Sequence, residues 1–270
     1  MPELPEVEIV RNALSAEILG KIILKVQVNK YNLRMQVTQN LNSMTAGHQI
    51  CNITRKGKYI ILVLSNQYYI IIHLGMSGKL IFKKDYIGKK HNHVIFFVSD
   101  DKLLIFHDPR RFGIVILLDH DQYINFFQDF GVDPLSNEFS ADYLYKIFNK
   151  KTTNIKSLLM DNKIITGIGN IYSTESLFMT GILPSRSVKD ISITECENLI
   201  CNIKNVLLLS IKNGGSSIKD FISPFGIKGN FQDHLLVYNR AGKLCYKCNN
   251  PISMMKQGGR STFFCSYCQL

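Results

Sequence analysis

Two pairs of cysteines near the carboxyl end constrain the fold of this chain more than any other feature of its sequence. Each pair has two residues between its members, Cys245 and Cys248 in one pair and Cys265 and Cys268 in the other, and residues 249–264 separate the pairs. This spacing is typical of a site in which four thiolates bind zinc; a redox pair or a chance pairing is the alternative. Four cysteine ligands leave no open position on the metal, so the sequence predicts one structural Zn2+ ion and no metal catalysis.

The same pairs predict a β-hairpin module in which Phe263 and Phe264 form the core and Arg260 lies in the turn. The other cysteines, Cys51, Cys196 and Cys201, lie in apolar surroundings, where we interpret them as buried thiols. The start of the chain is acidic and lacks the basic-then-apolar order of a signal peptide, and no apolar run reaches the roughly 18 residues of a membrane span. We therefore expect a cytoplasmic protein, in which disulfides are rare.

The chain is strongly basic. It contains 32 Lys and Arg against 21 Asp and Glu, which gives a net charge of +11. Such an excess favours polyanionic partners, nucleic acids above all, through steering and the release of counterions. An AT-rich genome, which enriches a protein in lysine, asparagine and isoleucine, would produce the same excess without such a partner.

Residues 22–118 have the pattern of a β-rich region. Short runs of β-branched and aromatic residues alternate with polar turns, and their regular spacing predicts a β-sandwich. The clearest of these runs are residues 59–64, 68–72, 94–98 and 103–106. The turn-forming residues 131–137 then predict a linker.

From about residue 140 the hydrophobic period becomes helical. It predicts four helices, at residues 142–149, 155–160, 172–179 and 193–211. Ser192 or Thr194, each followed three residues later by a glutamate, resembles the capping box of the last helix. The glycine-rich turn at 166–170 either presents backbone N–H groups to a phosphate or is only a tight connection between helices. Residues 214–240 read as a glycine-rich connection with one strand or helix.

The first residues, MPELPEVE, contain the strongest candidate nucleophile. Removal of Met1 would leave Pro2 as a secondary amine. An α-amino group titrates at about pH 8, so a fraction of the Pro2 amines is unprotonated at neutral pH. Such an amine attacks an aldehyde-level carbon to form an iminium, which is the chemistry of a covalent lyase. The alternative is an ordinary helix start, with Pro5 as the first residue of the helix and Glu6 and Glu8 at the positive end of the dipole. Helical spacing also predicts an apolar face at Val7, Val10, Leu14 and Ile18.

Six features, in order along the whole chain, closely resemble those of the bacterial formamidopyrimidine-DNA glycosylases, bifunctional enzymes that excise oxidised purines. They are residues 2–8 (PELPEVE), 57–59 (GKY), 73–78 (HLGMSG), 108–113 (DPRRFG), 167–172 (GIGNIY) and the paired cysteines. The chain departs from the family pattern only slightly, with Ser173 and Thr174 where the family often has Ala and Ser.

The resemblance implies an α+β fold with three parts. Residues 1–133 would form a catalytic β-sandwich domain flanked by helices. Residues 134–240 would form a helical domain with a helix–two-turn–helix motif and a loop on the lesion side. Residues 241–270 would form the zinc finger, with double-stranded DNA bound in the cleft between the domains.

The resemblance also implies catalytic roles. Pro2 would attack C1′ of the damaged nucleotide and displace the base, and Glu3 would be the acid that helps the base leave or opens the sugar. Glu6 would hold this site through hydrogen bonds to the N-terminal segment. Lys58 would give the proton for β-elimination and Arg260 the one for δ-elimination. A solvated lysine at a strand edge and a plain phosphate contact are the alternatives for these last two residues.

Contacts with DNA follow from the same resemblance. Phe112 would wedge between bases, Met76 would fill the space left by the displaced base, and Arg110 would address the orphaned cytosine. Without the resemblance, Met76 and Phe112 would be interpreted as core residues. The phosphate contacts would come from His91, Arg111, Lys151, Lys156, Asn170 and Arg260. We expect a monomer that acts on duplexes containing 8-oxoguanine or formamidopyrimidines and has no membrane partner.

Two rival interpretations stay open. The endonuclease VIII group, which favours oxidised pyrimidines, typically has Gly where this chain has Leu4, so Leu4 and the segment 108–113 favour the purine enzyme. A zinc-finger protein that binds DNA without catalysis would retain the scaffold but form no covalent adduct.

Overall fold

The computed structural model describes residues 1–85, 88–217 and 221–270. The chain forms two compact units. The first consists of Met1–Asp129 and Asn213–Gln232, and the second of Phe130–Lys212 and Asp233–Leu270. Each unit is therefore assembled from two stretches that are distant in sequence.

The first unit contains two four-stranded antiparallel sheets. Their strands are β1 (Ile23–Val28), β2 (Ile50–Lys56), β3 (Tyr59–Leu64), β4 (Tyr69–His73), β5 (Lys79–Lys83), β6 (Asn92–Val98), β7 (Lys102–His107) and β8 (Ile114–Leu118). One sheet has the order β1-β6-β7-β5 and the other β2-β3-β4-β8. Phe96 and Phe106 of the first share one apolar core with Ile60 and Ile72 of the second, which confirms the predicted β-sandwich.

Helix α1 (Leu4–Ile18) closes this core from one side. The predicted apolar face is buried, and Val7, Val10, Leu14 and Ile18 all belong to the core. Each such side chain contributes about 1.5–3 kcal/mol when fully removed from water. Two further helices of this unit, α2 (Leu41–Thr45) and α3 (His120–Phe127), have no counterpart among the predicted elements.

The second unit is helical. Its helices are α4 (Ala141–Phe148), α5 (Ile155–Leu159), α6 (Asn170–Thr180) and α7 (Ile193–Lys212), close to the predicted four. Ser192, and not Thr194, caps α7, because its Oγ accepts from the Glu195 N–H at 3.2 Å while the Glu195 carboxylate accepts from the Ser192 N–H at 2.8 Å. The glycine-rich turn leads into α6 as predicted, and Gly167 has a φ of +89° that favours glycine.

The predicted hairpin is present at the carboxyl end. Strands β9 (Ser253–Gln257) and β10 (Arg260–Phe264) pair antiparallel, and Phe263 is buried in the small core between them and the cysteines. Arg260 does not lie in the turn. It is the first residue of β10, opposite Gln257, because Gly258 and Gly259, both at positive φ, form the turn by themselves.

Two of the three remaining cysteines are exposed, contrary to the prediction. Cys51 lies where the β2–β3 register shifts between Ile50 and Asn52, and a bulge of this kind turns a side chain out of the core. Cys201 lies on the outer face of α7, whereas Cys196 is buried as predicted.

The predicted connection at 214–240 contains one short 3-10 helix, Phe231–His234, among its described residues, and residues 218–220 lie outside them. Along the described chain, none of the helices has the length and apolar character needed to cross a membrane.

Candidate active site

The N-terminal segment is held by one buried carboxylate. Pro2, Glu3 and Glu6 are all buried. Glu6 accepts from the backbone N–H of Glu3 at 2.8 Å with one oxygen and from the N–H of Ser216 at 2.8 Å with the other. Glu6, the residue predicted to hold the nucleophile, thus connects the start of the chain to the distant segment that contains Ser216.

Gly215, which precedes Ser216, allows this close approach. Its φ is +79°, and a Cβ at this position would lie 3.1 Å from a carboxylate oxygen of Glu6. Both the backbone conformation and the limited space favour glycine. Residues 215 and 216 therefore belong to the same local structure as the N-terminus.

Lys58 lies in the tight turn between β2 and β3, after Gly57 at a φ of +58°. Lys58 is only 9 % exposed, so it is not the solvated strand-edge lysine considered as an alternative. Burial, together with the charges of Lys58 and Arg34, lowers the pKa of His73 to about 4. His73 is thus neutral at pH 7, and its Nδ1 accepts from the Gly75 N–H at 3.0 Å.

The lowered pKa of His73 predicts a loss of stability in acid. The unfolded chain binds a proton at this imidazole near pH 6.5, whereas the folded protein binds it only near pH 4. The unfolded state therefore holds more protons in this window, and the free energy of unfolding falls by up to about 3 kcal/mol as the pH drops through it. Urea unfolding at pH 7 and pH 4.5 measures the loss.

In His73→Gln, which keeps an acceptor but does not titrate, this part of the pH dependence should disappear. His120→Gln, which removes an exposed histidine, is the control. An unchanged pH dependence in His73→Gln would contradict the assignment.

The three predicted base-displacing residues lie at the surface of the first unit. Met76 follows β4 and is 38 % exposed, and Phe112 precedes β8 and is 41 % exposed. The Arg110 guanidinium stacks on the Phe112 ring at 4.8 Å from its centroid. Large apolar side chains this exposed are not core residues, which removes the structural alternative considered for Met76 and Phe112.

In the second unit, Lys156 is buried and has partners inside the protein. Its ammonium donates to Asn170 Oδ1 at 2.6 Å and to Thr262 Oγ1 at 2.5 Å, and Asn170 donates on to the Ser261 carbonyl at 2.9 Å. These bonds connect α5, the start of α6 and the hairpin. Lys151 and Arg260 are exposed.

The four paired cysteines form one cluster. Their sulfur atoms all lie within 4.8 Å of one another, with 3.9 Å between Cys245 and Cys268 and 3.4 Å between Cys248 and Cys265. Tetrahedral coordination at a Zn–S distance of about 2.3 Å places sulfur atoms about 3.8 Å apart, so the donor set fits this geometry. The cluster could hold a metal ion.

Family models match both parts of the chain. A model of the formamidopyrimidine-DNA glycosylase N-terminal domain matches residues 1–115, and a model of the H2TH domain of the same glycosylase matches residues 130–222. A formamidopyrimidine-DNA glycosylase of Wolbachia sp. subsp. Brugia malayi (strain TRS) is 51% identical over 270 residues, which is all of both chains. The chain belongs to the formamidopyrimidine-DNA glycosylase family. A second family member, from Rickettsia bellii (strain OSU 85-389), is 42% identical over 273 residues, covering 100% of this chain and 99% of the relative.

Solved structures of formamidopyrimidine-DNA glycosylases share the fold. Lactococcus lactis Fpg in complex with DNA containing an abasic site matches with a TM-score of 0.90 and 32% identity over 99% of each chain. MutM in complex with DNA containing carbocyclic 8-oxo-G matches with a TM-score of 0.90 and 33% identity, also over 99% of each chain. These matches confirm the predicted α+β fold, including the helix–two-turn–helix domain.

Sequence reasoning missed one buried acid of this glycosylase fold. Glu175 of α6 accepts from the backbone N–H groups of Leu236, Val237 and Tyr238 at 2.8, 3.0 and 2.7 Å. Burial raises its pKa, although these three donors act in the opposite direction. The carboxylate thus holds the segment that leads to the cysteine hairpin. An acidic residue inside an apolar helical pattern was the only sequence signal.

Sequence reasoning also missed part of a basic surface. Lys30, Lys89 and Lys90 line a cavity of about 360 Å³ together with the predicted phosphate contacts His91 and Arg111. The run Lys89-Lys90-His91 was its visible signal in the sequence. Several cations around one concavity favour binding of a phosphate.

Proposed function

We propose that this protein is a base-excision DNA glycosylase and abasic-site lyase that removes oxidised purines such as 8-oxoguanine and formamidopyrimidines. The observation that carries the proposal is the buried Glu6 carboxylate, which fixes the residue after Pro2 through the Glu3 N–H. An N-terminal amine held in this way is preorganised for attack, whereas a free chain end is mobile. The names of the relatives and the damaged DNA in the solved structures support the same reaction.

The reaction begins at Pro2 after removal of Met1. Its amine nitrogen forms a bond to C1′, the bond from C1′ to the base breaks, and the base leaves with the electron pair and a proton. The sugar then opens, because the C1′–O4′ bond breaks, O4′ takes a proton and the nitrogen forms a double bond to C1′. Glu3 assists departure of the base or this opening of the sugar. The resulting iminium cannot lose its charge, because a secondary amine has no second proton to give, and it draws electrons from the neighbouring bonds.

Two eliminations complete the reaction. Loss of a proton from C2′ expels the 3′ phosphate, and a second elimination expels the 5′ phosphate. Lys58 serves the first elimination, and its burial restricts the positions that its ammonium can take. Arg260 serves the second and contacts a phosphate at the same time.

Base displacement precedes this chemistry. A base stacked in a duplex hides C1′, and its extrusion costs a few kcal/mol. Phe112 would insert between bases, Met76 would occupy the space that is left, and Arg110 would pair with the orphaned cytosine. Their exposure at the surface of the first unit supports these roles.

DNA binding would use residues of both units. We assign phosphate contacts to His91, Arg111, Lys151, Asn170 and Arg260, with Lys156 acting on Asn170 from below the surface. We also propose the three functional parts 1–133, 134–240 and 241–270, a monomeric state, and a cytoplasmic location where chromosomal DNA is accessible. The cysteine cluster would hold Zn2+, which would stabilise the hairpin and supply no catalytic group.

Borohydride trapping tests the proposal. Reduction of the iminium should join the wild-type protein covalently to a duplex containing 8-oxoguanine opposite cytosine. Pro2→Gly, whose primary amine forms an imine that can lose its charge, should give at least about tenfold less adduct. Mass spectrometry of the adduct should place the DNA on residue 2 and show Met1 absent.

Failure to trap the wild-type protein would overturn the enzymatic proposal and favour the non-catalytic zinc-finger protein. A duplex containing thymine glycol provides the comparison with the pyrimidine-specific group. Faster reaction on that duplex than on 8-oxoguanine would overturn the proposed substrate class.

A further inference from the structure

A buried carboxylate connects the two loops that carry the base-displacing side chains. We name these the wedge loops: Leu74–Gly78, which carries Met76, and Asp108–Gly113, which carries Arg110 and Phe112. Asp108 is completely buried. Its Oδ1 accepts from the Ser77 hydroxyl of the other loop at 2.6 Å, and its Oδ2 accepts from the Gly113 N–H at 2.8 Å. One side chain therefore bonds to both wedge loops.

Further bonds fix the position of this carboxylate. The Arg110 N–H donates to Asp108 Oδ1 at 3.3 Å, and the His93 ring lies 2.7 Å from the Asp108 carbonyl oxygen through Nε2. The backbone N–H of Asp108 donates to the His91 carbonyl at 3.0 Å. Asp108 is thus attached to β6 through its backbone, and its side chain is left for the loops.

The backbones of the wedge loops also leave no space between them. A Cβ on Gly75 would lie 2.5 Å from the carbonyl carbon of Phe112, and Gly75 has a φ of +63°. A Cβ on Gly113 would lie 2.9 Å from the His73 carbonyl oxygen and 3.1 Å from Asp108 Oδ2. The loops touch at the residues next to Met76 and Phe112, so a shift of one loop displaces the other.

We infer that Asp108 and Ser77 are a positioning pair that makes Met76, Arg110 and Phe112 one rigid wedge for extruding the damaged base. The inference rests on the proposed glycosylase function and adds to it two residues that touch neither the base nor the sugar. A wedge must enter the stack as a unit, because Met76 fills the space left by the base while Phe112 separates its neighbours. Loops that moved independently would lose part of the binding energy in being ordered.

Ser77→Ala is the sharpest test, because it removes both bonds of the Ser77 hydroxyl to the other wedge loop, the one donated to Asp108 at 2.6 Å and the one accepted from the Arg110 N–H at 3.3 Å. It leaves the Asp108 bond to Gly113 in place. A hydrogen bond to a charged acceptor is strong enough that we expect about a tenfold to hundredfold slower excision of 8-oxoguanine from a duplex. Cleavage of a single-stranded oligonucleotide with an abasic site should be unchanged, since its C1′ is already accessible. Ser99→Ala, a turn serine whose Oγ accepts one backbone bond from Ile22, is the matched control.

A measurement of base unstacking, which does not require catalysis, tests this inference separately from the proposed function. The fluorescence of 2-aminopurine beside a tetrahydrofuran abasic analogue rises when a side chain unstacks it, even if the protein cleaves nothing. We expect the wild-type rise to shrink in Ser77→Ala and in Asp108→Asn at equal protein occupancy. A wild-type rise that Ser77→Ala leaves intact would overturn the positioning role, as would absence of any rise.

A double-mutant cycle shows whether Ser77 acts through the wedge. If it does, Ser77→Ala should cost at least about threefold less in a Met76→Ala background than in the wild-type background, because one of the three side chains that it positions is gone. Equal losses in the two backgrounds, or equal losses on duplex and single-stranded substrates, would indicate general stabilisation and overturn the inference. Thermal unfolding of each variant accounts for loss of folded protein.

Discussion

Glu3→Gln is expected to slow excision of 8-oxoguanine from a duplex by about 10²–10⁴-fold, the usual contribution of a positioned acid or base. The substitution keeps the shape of the side chain and removes its ability to exchange a proton. It also leaves the N-terminal geometry in place, because the Glu3 N–H still donates to the Glu6 carboxylate and the amide oxygen of Gln replaces the carboxylate oxygen that accepts from the Glu6 N–H in the capping box. Single-turnover rates on duplexes with 8-oxoguanine and with an abasic site measure the effect.

The abasic substrate distinguishes the two roles considered for Glu3. A loss confined to 8-oxoguanine assigns Glu3 to departure of the base, whereas equal losses assign it to opening of the sugar. Glu17→Gln, on the same helix and in an ion pair with Lys102 at 2.6 Å, is the matched control and should retain wild-type rates. Wild-type excision by Glu3→Gln would contradict any proton-transfer role for this residue.

Cys245→Ala is expected to lower the affinity for DNA by at least about a hundredfold while the first unit stays folded. Loss of one thiolate would weaken the proposed structural zinc site, because the binding energy of such a site is also folding energy, about 10–16 kcal/mol in isolated zinc-finger peptides. Cys245 is itself part of the small core that contains Phe263 and Ile252. The exposed Arg260 at the start of β10 would then lose its fixed position.

DNA binding by fluorescence anisotropy and zinc content by atomic absorption measure the result, and a chelator should produce the same loss in the wild-type protein. Cys196→Ala, which removes a buried thiol outside the cluster, is the control and should retain both zinc and affinity. Thermal unfolding should show the sandwich melting as in wild type. Equal destabilisation of the sandwich would contradict a separate zinc module.

Local patterns in the sequence predicted the elements with strong local signals. The apolar run at residues 59–64 coincides with β3, and the spacing of apolar residues from Val7 to Ile18 gave the buried face of α1. The short strand β5, with two lysines among its five residues, carried too weak an alternation to be recognised. Cys51 was misjudged because a β-bulge depends on the pairing of two strands and leaves no signal in either one alone.

The candidate site likewise contains residues that the sequence predicts and contacts that it does not. Residue types and spacing predicted Pro2 and the four thiols, whereas the roles of Glu3 and Lys58 came from the resemblance to the glycosylase family. The supporting contacts were not predictable, since Ser216 meets Glu6 across 210 positions and Ser77 meets Asp108 across 31. Nor does a sequence state that Lys58 is buried, because burial depends on what the rest of the chain places around it.

The interleaving of the two units bears on how genes of this family exchange segments. Glu6 bonds to Ser216, and Glu175 bonds to Val237, so the two pairs overlap along the chain. Consider a single crossover between two diverged genes at any codon from 7 to 237. In the encoded protein, Glu6 and Ser216, or Glu175 and Val237, or both pairs, then come from different parent genes. The two bonds themselves survive such a crossover, because each donor is a backbone N–H, so a mosaic protein is expected to lose stability only where side chains that pack within one unit come from different parents.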